Sequence, residues 1–81
     1  MTVQHLLTER GETHGDFADN ARISQATKAL WHAEEGWQKL SDIQKEALDM
    51  VCLKVSRILS GQPHEADHWK DGSGYFWLGI P

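Results

Sequence analysis

One cysteine in 81 residues excludes a disulfide framework within the chain, and its place among apolar neighbours makes Cys52 a small hydrophobe of a reducing compartment. No apolar run approaches the roughly 18 residues of a membrane span, and the opening Met1-Thr-Val-Gln-His5 lacks the charged and apolar regions of a secretory signal. A cytoplasmic protein is expected. Basic residues are also scarce: 8 Lys and Arg against 12 Asp and Glu give a formal charge of −4. They stand singly rather than in a stripe, which argues against binding to duplex nucleic acid. Strand alternation, internal repeats and low-complexity tracts are missing too.

What is present is helical periodicity. Residues 46–59, Glu-Ala-Leu-Asp-Met-Val-Cys-Leu-Lys-Val-Ser-Arg-Ile-Leu, hold nine apolar and three charged residues in their last thirteen. A helix apolar nearly all round must be enclosed by the rest of the protein. At about 100° per residue, Ala47, Val51, Val55 and Ile58 form one side, with Leu48, Cys52 and Leu59 widening it. Glu46, Asp49 and Arg57 fall roughly opposite, beside Met50 and Leu53. If a neighbouring helix or subunit covers Met50 and Leu53, those charges lie in a partly desolvated seam and need a counter-charge, metal or ligand; otherwise they form a solvated face.

Thr2 can cap a first helix to about Arg10, which Gly11 would end. Asp16 can cap a second, in which Ile23, Ala26, Leu30 and Trp31 follow helical spacing to about Glu35 before Gly36. Ser41-Asp-Ile-Gln44 reads as a capping box for the central helix. Ser60-Gly61-Gln62-Pro63 closes that helix, and a last one starts near His64, with Trp69, Phe76 and Ile80 as its apolar stripe. Gly72 and Gly74 invite a break or a close backbone contact there. The fold class is therefore all-α, a single domain over 1–81 built as a small antiparallel bundle of three to four helices. So short a chain buries only about 60% of its unfolded surface, and it carries four Trp, so a homo-oligomer is expected to complete the core.

Three constellations could carry chemistry. His64-Glu-Ala-Asp-His68 matches the zinc-protease pattern H-E-x-x-H, but no third ligand beyond Asp71 and no substrate cleft are in view, so coincidence is the better account. Glu46 with Asp49, and Asp67 with Asp71, place carboxylates on one side of each of two helices. Facing each other across a seam they could hold Mg²⁺, with Lys54 and Arg57 on the phosphates of a nucleotide; equally, they could form an ion-pair network of Arg57 with Asp67 or Asp71. Finally, Glu9-Arg-Gly-Glu-Thr-His14-Gly-Asp-Phe17 is a glycine-bracketed polar connector that could receive an anion at a helix N-terminus, or could simply be solvated.

The segment from Glu9 to Phe17, the helix from Glu46 to Leu59, and Asp67-His-Trp-Lys-Asp-Gly-Ser-Gly-Tyr75 occur in the order that marks an uncharacterised family of small phage and prophage proteins, which the chain resembles over nearly its whole length. Lys54, Arg57 and Tyr75 match that family's pattern. Its members are distantly similar to the all-α nucleoside triphosphate pyrophosphohydrolases, Mg²⁺ enzymes with Glu-x-x-Glu on one helix and Glu-x-x-Asp on the next. Glu46 and Asp49 are similar to the first pair and Asp71 to the last Asp, whereas His68 stands where the second pair has Glu. The resemblance implies a nucleotide-type ligand held in the host cytoplasm by Lys54, Arg57, Tyr75 and His14. That ligand would be either sequestered as a defence signal or hydrolysed with Mg²⁺. A helical interaction module without small ligand is the remaining reading.

Overall fold

The computed structural model describes residues 2–3, 16–61 and 63–81. Most of the helix expected over 2–10, and the connector that contains His14, lie outside these residues. Among the described residues the chain forms four helices and no strand: α1 (Phe17–His32), α2 (Glu35–Gln38), α3 (Asp42–Ser60) and α4 (Ala66–Leu78). None is long and apolar enough to cross a membrane.

The Asp16 carboxylate caps α1 by accepting from the Ala18 amide. The helix stops at His32, three residues short of the expected end, and Gly36 lies inside the short α2 instead of capping α1. Glu34 takes an extended conformation, and the turn carries Trp37 back against the bundle, where it is buried beside the His32 ring at a centroid distance of 4.3 Å. Burying the Trp37 indole outweighs three further residues of helix.

The Ser41–Gln44 capping box forms with both of its bonds, at 3.1 and 3.0 Å. Gln44 does more than close the box, because its Nε2 donates to the Gly79 carbonyl at 3.0 Å and so ties the start of α3 to the end of α4. With Lys54 against Asp71 and Gln44 against Gly79, α3 and α4 run antiparallel; Ser24 against Cys52 and His32 against Asp49 show the same for α1 and α3. The antiparallel bundle is thus as expected.

The interior differs from the apolar arc read off the sequence. Among the described residues the buried apolar ones are Trp37, Ala47, Val51 and Cys52, and the two most deeply enclosed are Cys52 and Ser56. Val55 and Leu59 are exposed, while Ile58 and Leu48 are only partly covered. The centre of α3 therefore lies toward Cys52 and Ser56 rather than Val55 and Ile58. The reason is α1, which turns Asn20 and Ser24 inward and leaves Leu30 exposed. A small polar surface on α1 fits a small residue on α3: Cys52 Sγ lies 3.6 Å from the Ser24 carbonyl, and Ser56 Oγ donates to the Cys52 carbonyl at 2.8 Å.

In α4 neither a break nor a close contact occurs at the glycines. The helix is continuous, and a Cβ on Gly72 or Gly74 would meet no atom within 4 Å. An alanine at Gly74 should therefore add about 1 kcal/mol of stability. Thermal unfolding checks this, with a rise in Tm of about 4–8 °C expected for a domain of this size.

Candidate ligand-binding site

Lys54 and Arg57 lie one turn apart on α3. The Lys54 Nζ meets the Asp71 carboxylate of α4 at 3.1 Å, with the Lys54 side chain 11% exposed and that of Asp71 52%. Arg57 has no such partner among the described residues. Its Nε–H is buried and makes no hydrogen bond among the described residues. The ion pair expected between Arg57 and Asp67 or Asp71 is replaced by Lys54–Asp71, because the antiparallel register sets Asp71 level with Lys54.

A second orphan lies at the same end of the molecule. Asn20 is buried and its Oδ1 has no partner among the described residues. Since Ser24 meets Cys52, one turn back along α1 brings Asn20 level with one turn forward along α3, at Ser56 and its neighbour Arg57. Sequence reasoning did not single out Asn20. A polar residue one turn before Ser24, both on the side of α1 that faces α3, was the available signal.

The four carboxylates do not converge. Asp49 turns toward α1 and pairs with His32 Nε2 at 3.0 Å, and Asp71 is engaged by Lys54. Glu46 is exposed and lines a shallow hollow of about 380 Å³ with Met50, Tyr75 and Leu78. Asp67 is exposed in the first turn of α4. The register explains the dispersal: Glu46 and Asp49 stand level with the Tyr75–Gly79 end of α4, whereas Asp67 and Asp71 stand nearer Arg57 and Lys54. No three His, Cys, Asp or Glu side chains gather as a metal site among the described residues. The described residues of one chain thus do not bring together the carboxylates of a magnesium seat.

The H-E-x-x-H motif does not sit on one helix. His64 is exposed in the turn before α4, Glu65 is the N-cap, and His68 is buried at 2% exposure. The metalloprotease pattern needs both histidines on one helical face open to a cleft, so the motif is coincidental.

The Lys54–Asp71 pair gives a direct test of the register. Asp71→Asn leaves a nearly enclosed ammonium without its counter-charge, while Lys54→Met removes that charge and keeps the packing. Asp71→Asn should therefore destabilise more than Lys54→Met, by about 1 kcal/mol given the half-exposed carboxylate. Urea unfolding of the two variants checks the order.

On the other side of α3, Trp31, Trp37, Leu40, Leu48, Val55 and Phe76 line an open apolar groove of about 580 Å³. It carries one acidic residue, Glu34, at its rim and no cation.

Among the described residues the fold defines a small all-α domain with buried unmatched polar atoms on Arg57 and Asn20 and many exposed apolar side chains. The chain belongs to the family of the domain of unknown function DUF6378, which matches residues 2–80. No curated protein and no solved structure shows a significant match.

Proposed function

We propose that this chain is a phage-type binding protein that takes the phosphate end of a nucleotide or nucleotide-derived signal at Arg57. It retains that ligand in the host cytoplasm against a defence response. The observation that carries the reading is the Arg57 Nε–H, buried without a partner among the described residues. An unmatched buried donor costs about 1–3 kcal/mol, more on a charged group, and a phosphate oxygen removes that cost. Arginine suits the task because its planar fork meets two phosphate oxygens at once. Lys54 is the adjacent cation, held ready by Asp71. Tyr75 lines the hollow beside Glu46 and Met50, at the other end of α3 from Arg57, and falls outside this phosphate site, while His14 lies outside the described residues.

Binding is favoured over hydrolysis because turnover by the pyrophosphohydrolase route needs carboxylates brought together, and these are dispersed within one chain. The sequestering role and the phage setting rest on the sequence resemblance. A helical interaction module without small ligand is the second reading, favoured by eleven large hydrophobic side chains left exposed among the described residues.

A thermal-shift screen of the purified protein separates these. The ligands are nucleoside triphosphates, cyclic nucleotides and ADP-ribose-type compounds, each with and without Mg²⁺, and each is recovered afterwards by chromatography. A rise in Tm with intact ligand supports sequestration. A cleaved product assigns pyrophosphohydrolase activity instead, and the two Mg²⁺ arms show whether the cation is needed. No shift with any compound leaves the interaction module.

A further inference from the structure

We propose that α4 is a self-recognition helix. Two copies of the chain pack their last helices antiparallel about Ser73, so that Trp69 of one protomer lies against Trp77 of the other.

The apolar stripe of α4 is largely open to solvent. Trp69, Phe76, Trp77 and Ile80 are 60%, 59%, 74% and 62% exposed. With Ser73 they span about 100° of the helix circumference, while His68, Asp71 and Gly79 lie toward α3. The sequence here is close to palindromic: Gly72 and Gly74 flank Ser73, and Trp69 and Trp77 stand four residues to either side. A two-fold interface brings the same patch of both protomers together, residue i on j and j on i. Antiparallel α4 helices centred on Ser73 meet that condition, tryptophan against tryptophan at both ends and the small Ser73 at the crossing. Asp71, the nearest carboxylate, is already paired with Lys54, so the net charge of −4 does not concentrate at the contact.

Among the described residues the buried apolar ones are Trp37, Ala47, Val51 and Cys52, while Trp69, Phe76, Trp77 and Ile80 stay open, a face that needs its cover whenever the chain is folded. Another copy of the chain is the one partner always made with it. This inference stands apart from the nucleotide reading, since no residue of the proposed contact is assigned to the ligand.

The test uses the full chain. Light scattering after size exclusion should give a mass near twice 9.2 kDa. Trp77→Glu should halve that mass, and Leu30→Glu, on exposed α1, should leave it unchanged. Because a charged variant could fail to fold, cysteine cross-linking provides the second arm. Ser73→Cys should oxidise to a covalent dimer in which the buried Cys52 takes no part, while Gln25→Cys, exposed on α1, should not. A single-chain mass for the native protein overturns the proposal. So does a Ser73→Cys chain that cross-links no faster than Gln25→Cys.

Discussion

Cys52→Leu should destabilise the protein by about 1–3 kcal/mol, the usual cost of forcing extra methylenes into a closed interior. For a domain of this size that lowers Tm by roughly 5–20 °C. The expectation follows from the crossing of α1 and α3. Cys52 is fully enclosed, its sulfur lies 3.6 Å from the Ser24 carbonyl, and the next residue along that face, Ser56, is fully enclosed as well. A leucine would push α1 away or leave its rotamer minimum, and the His32–Asp49 and Ser24–Cys52 contacts along the same interface would lengthen together. Val55→Leu is the internal control. Val55 is 39% exposed on the groove side of α3 and should accept the same enlargement within about 0.5 kcal/mol. Equal losses at the two positions would show that the centre of the bundle lies on the apolar arc instead. Urea or thermal unfolding of the pair distinguishes the cases.

That contrast marks the limit of what the sequence discloses. The local signals held: Asp16 caps α1, the Ser41–Gln44 box opens α3, and Gly61 closes it by donating to the Arg57 carbonyl. Each depends on groups two to four residues apart, so the chain alone determines it. Apolar periodicity located α1, α3 and α4 but did not show which side of them is inside. On α3 the expected side included Val55 and Ile58, yet Cys52 and Ser56 are deepest, because α1 offers Asn20 and Ser24 and two such surfaces meet only through small residues. On α4 the stripe of Trp69, Phe76 and Ile80 was real and pointed outward. Periodicity reveals that a face is apolar and is silent on whether its cover comes from the same chain. The end of α1 was missed for a related reason. Gly36 looked like a stop signal, but the burial of Trp37 beside His32, a contact beyond the helix itself, decided where the turn falls.

The candidate site divides along the same line. The charged residues of α3 could be read from their spacing, but their pairing could not. Asp49 goes to His32 and Asp71 to Lys54 because three antiparallel helices set the levels, and register between helices has no local signature. Arg57 was recognised as a cation in need of a partner. That its Nε–H is buried without one, near a buried Asn20 in the same condition, is legible only once α1 lies beside α3.

Arg57→Met should therefore have two opposite effects. Without ligand the variant should be as stable as the native chain or more so, since it removes a buried unmatched donor whose desolvation costs about 1–3 kcal/mol. Methionine can fill the vacated space because its side chain is long, flexible and apolar. With a phosphate-bearing ligand the order should reverse. The native chain gains about 2.7 kcal/mol at a ligand concentration one hundred times Kd, and the variant should lose most of that gain. Arg57→Lys keeps the charge but has neither the Nε–H nor the two-pronged geometry, so its response should fall between the two. If Arg57 were instead a structural counter-ion, Arg57→Met would strand a carboxylate and lower stability whether or not ligand is present. Tm measured for the three chains with and without inorganic pyrophosphate, followed by the nucleotides that bind, resolves the matter: crossing stability orders assign Arg57 to the ligand, and a parallel loss in both conditions assigns it to the fold.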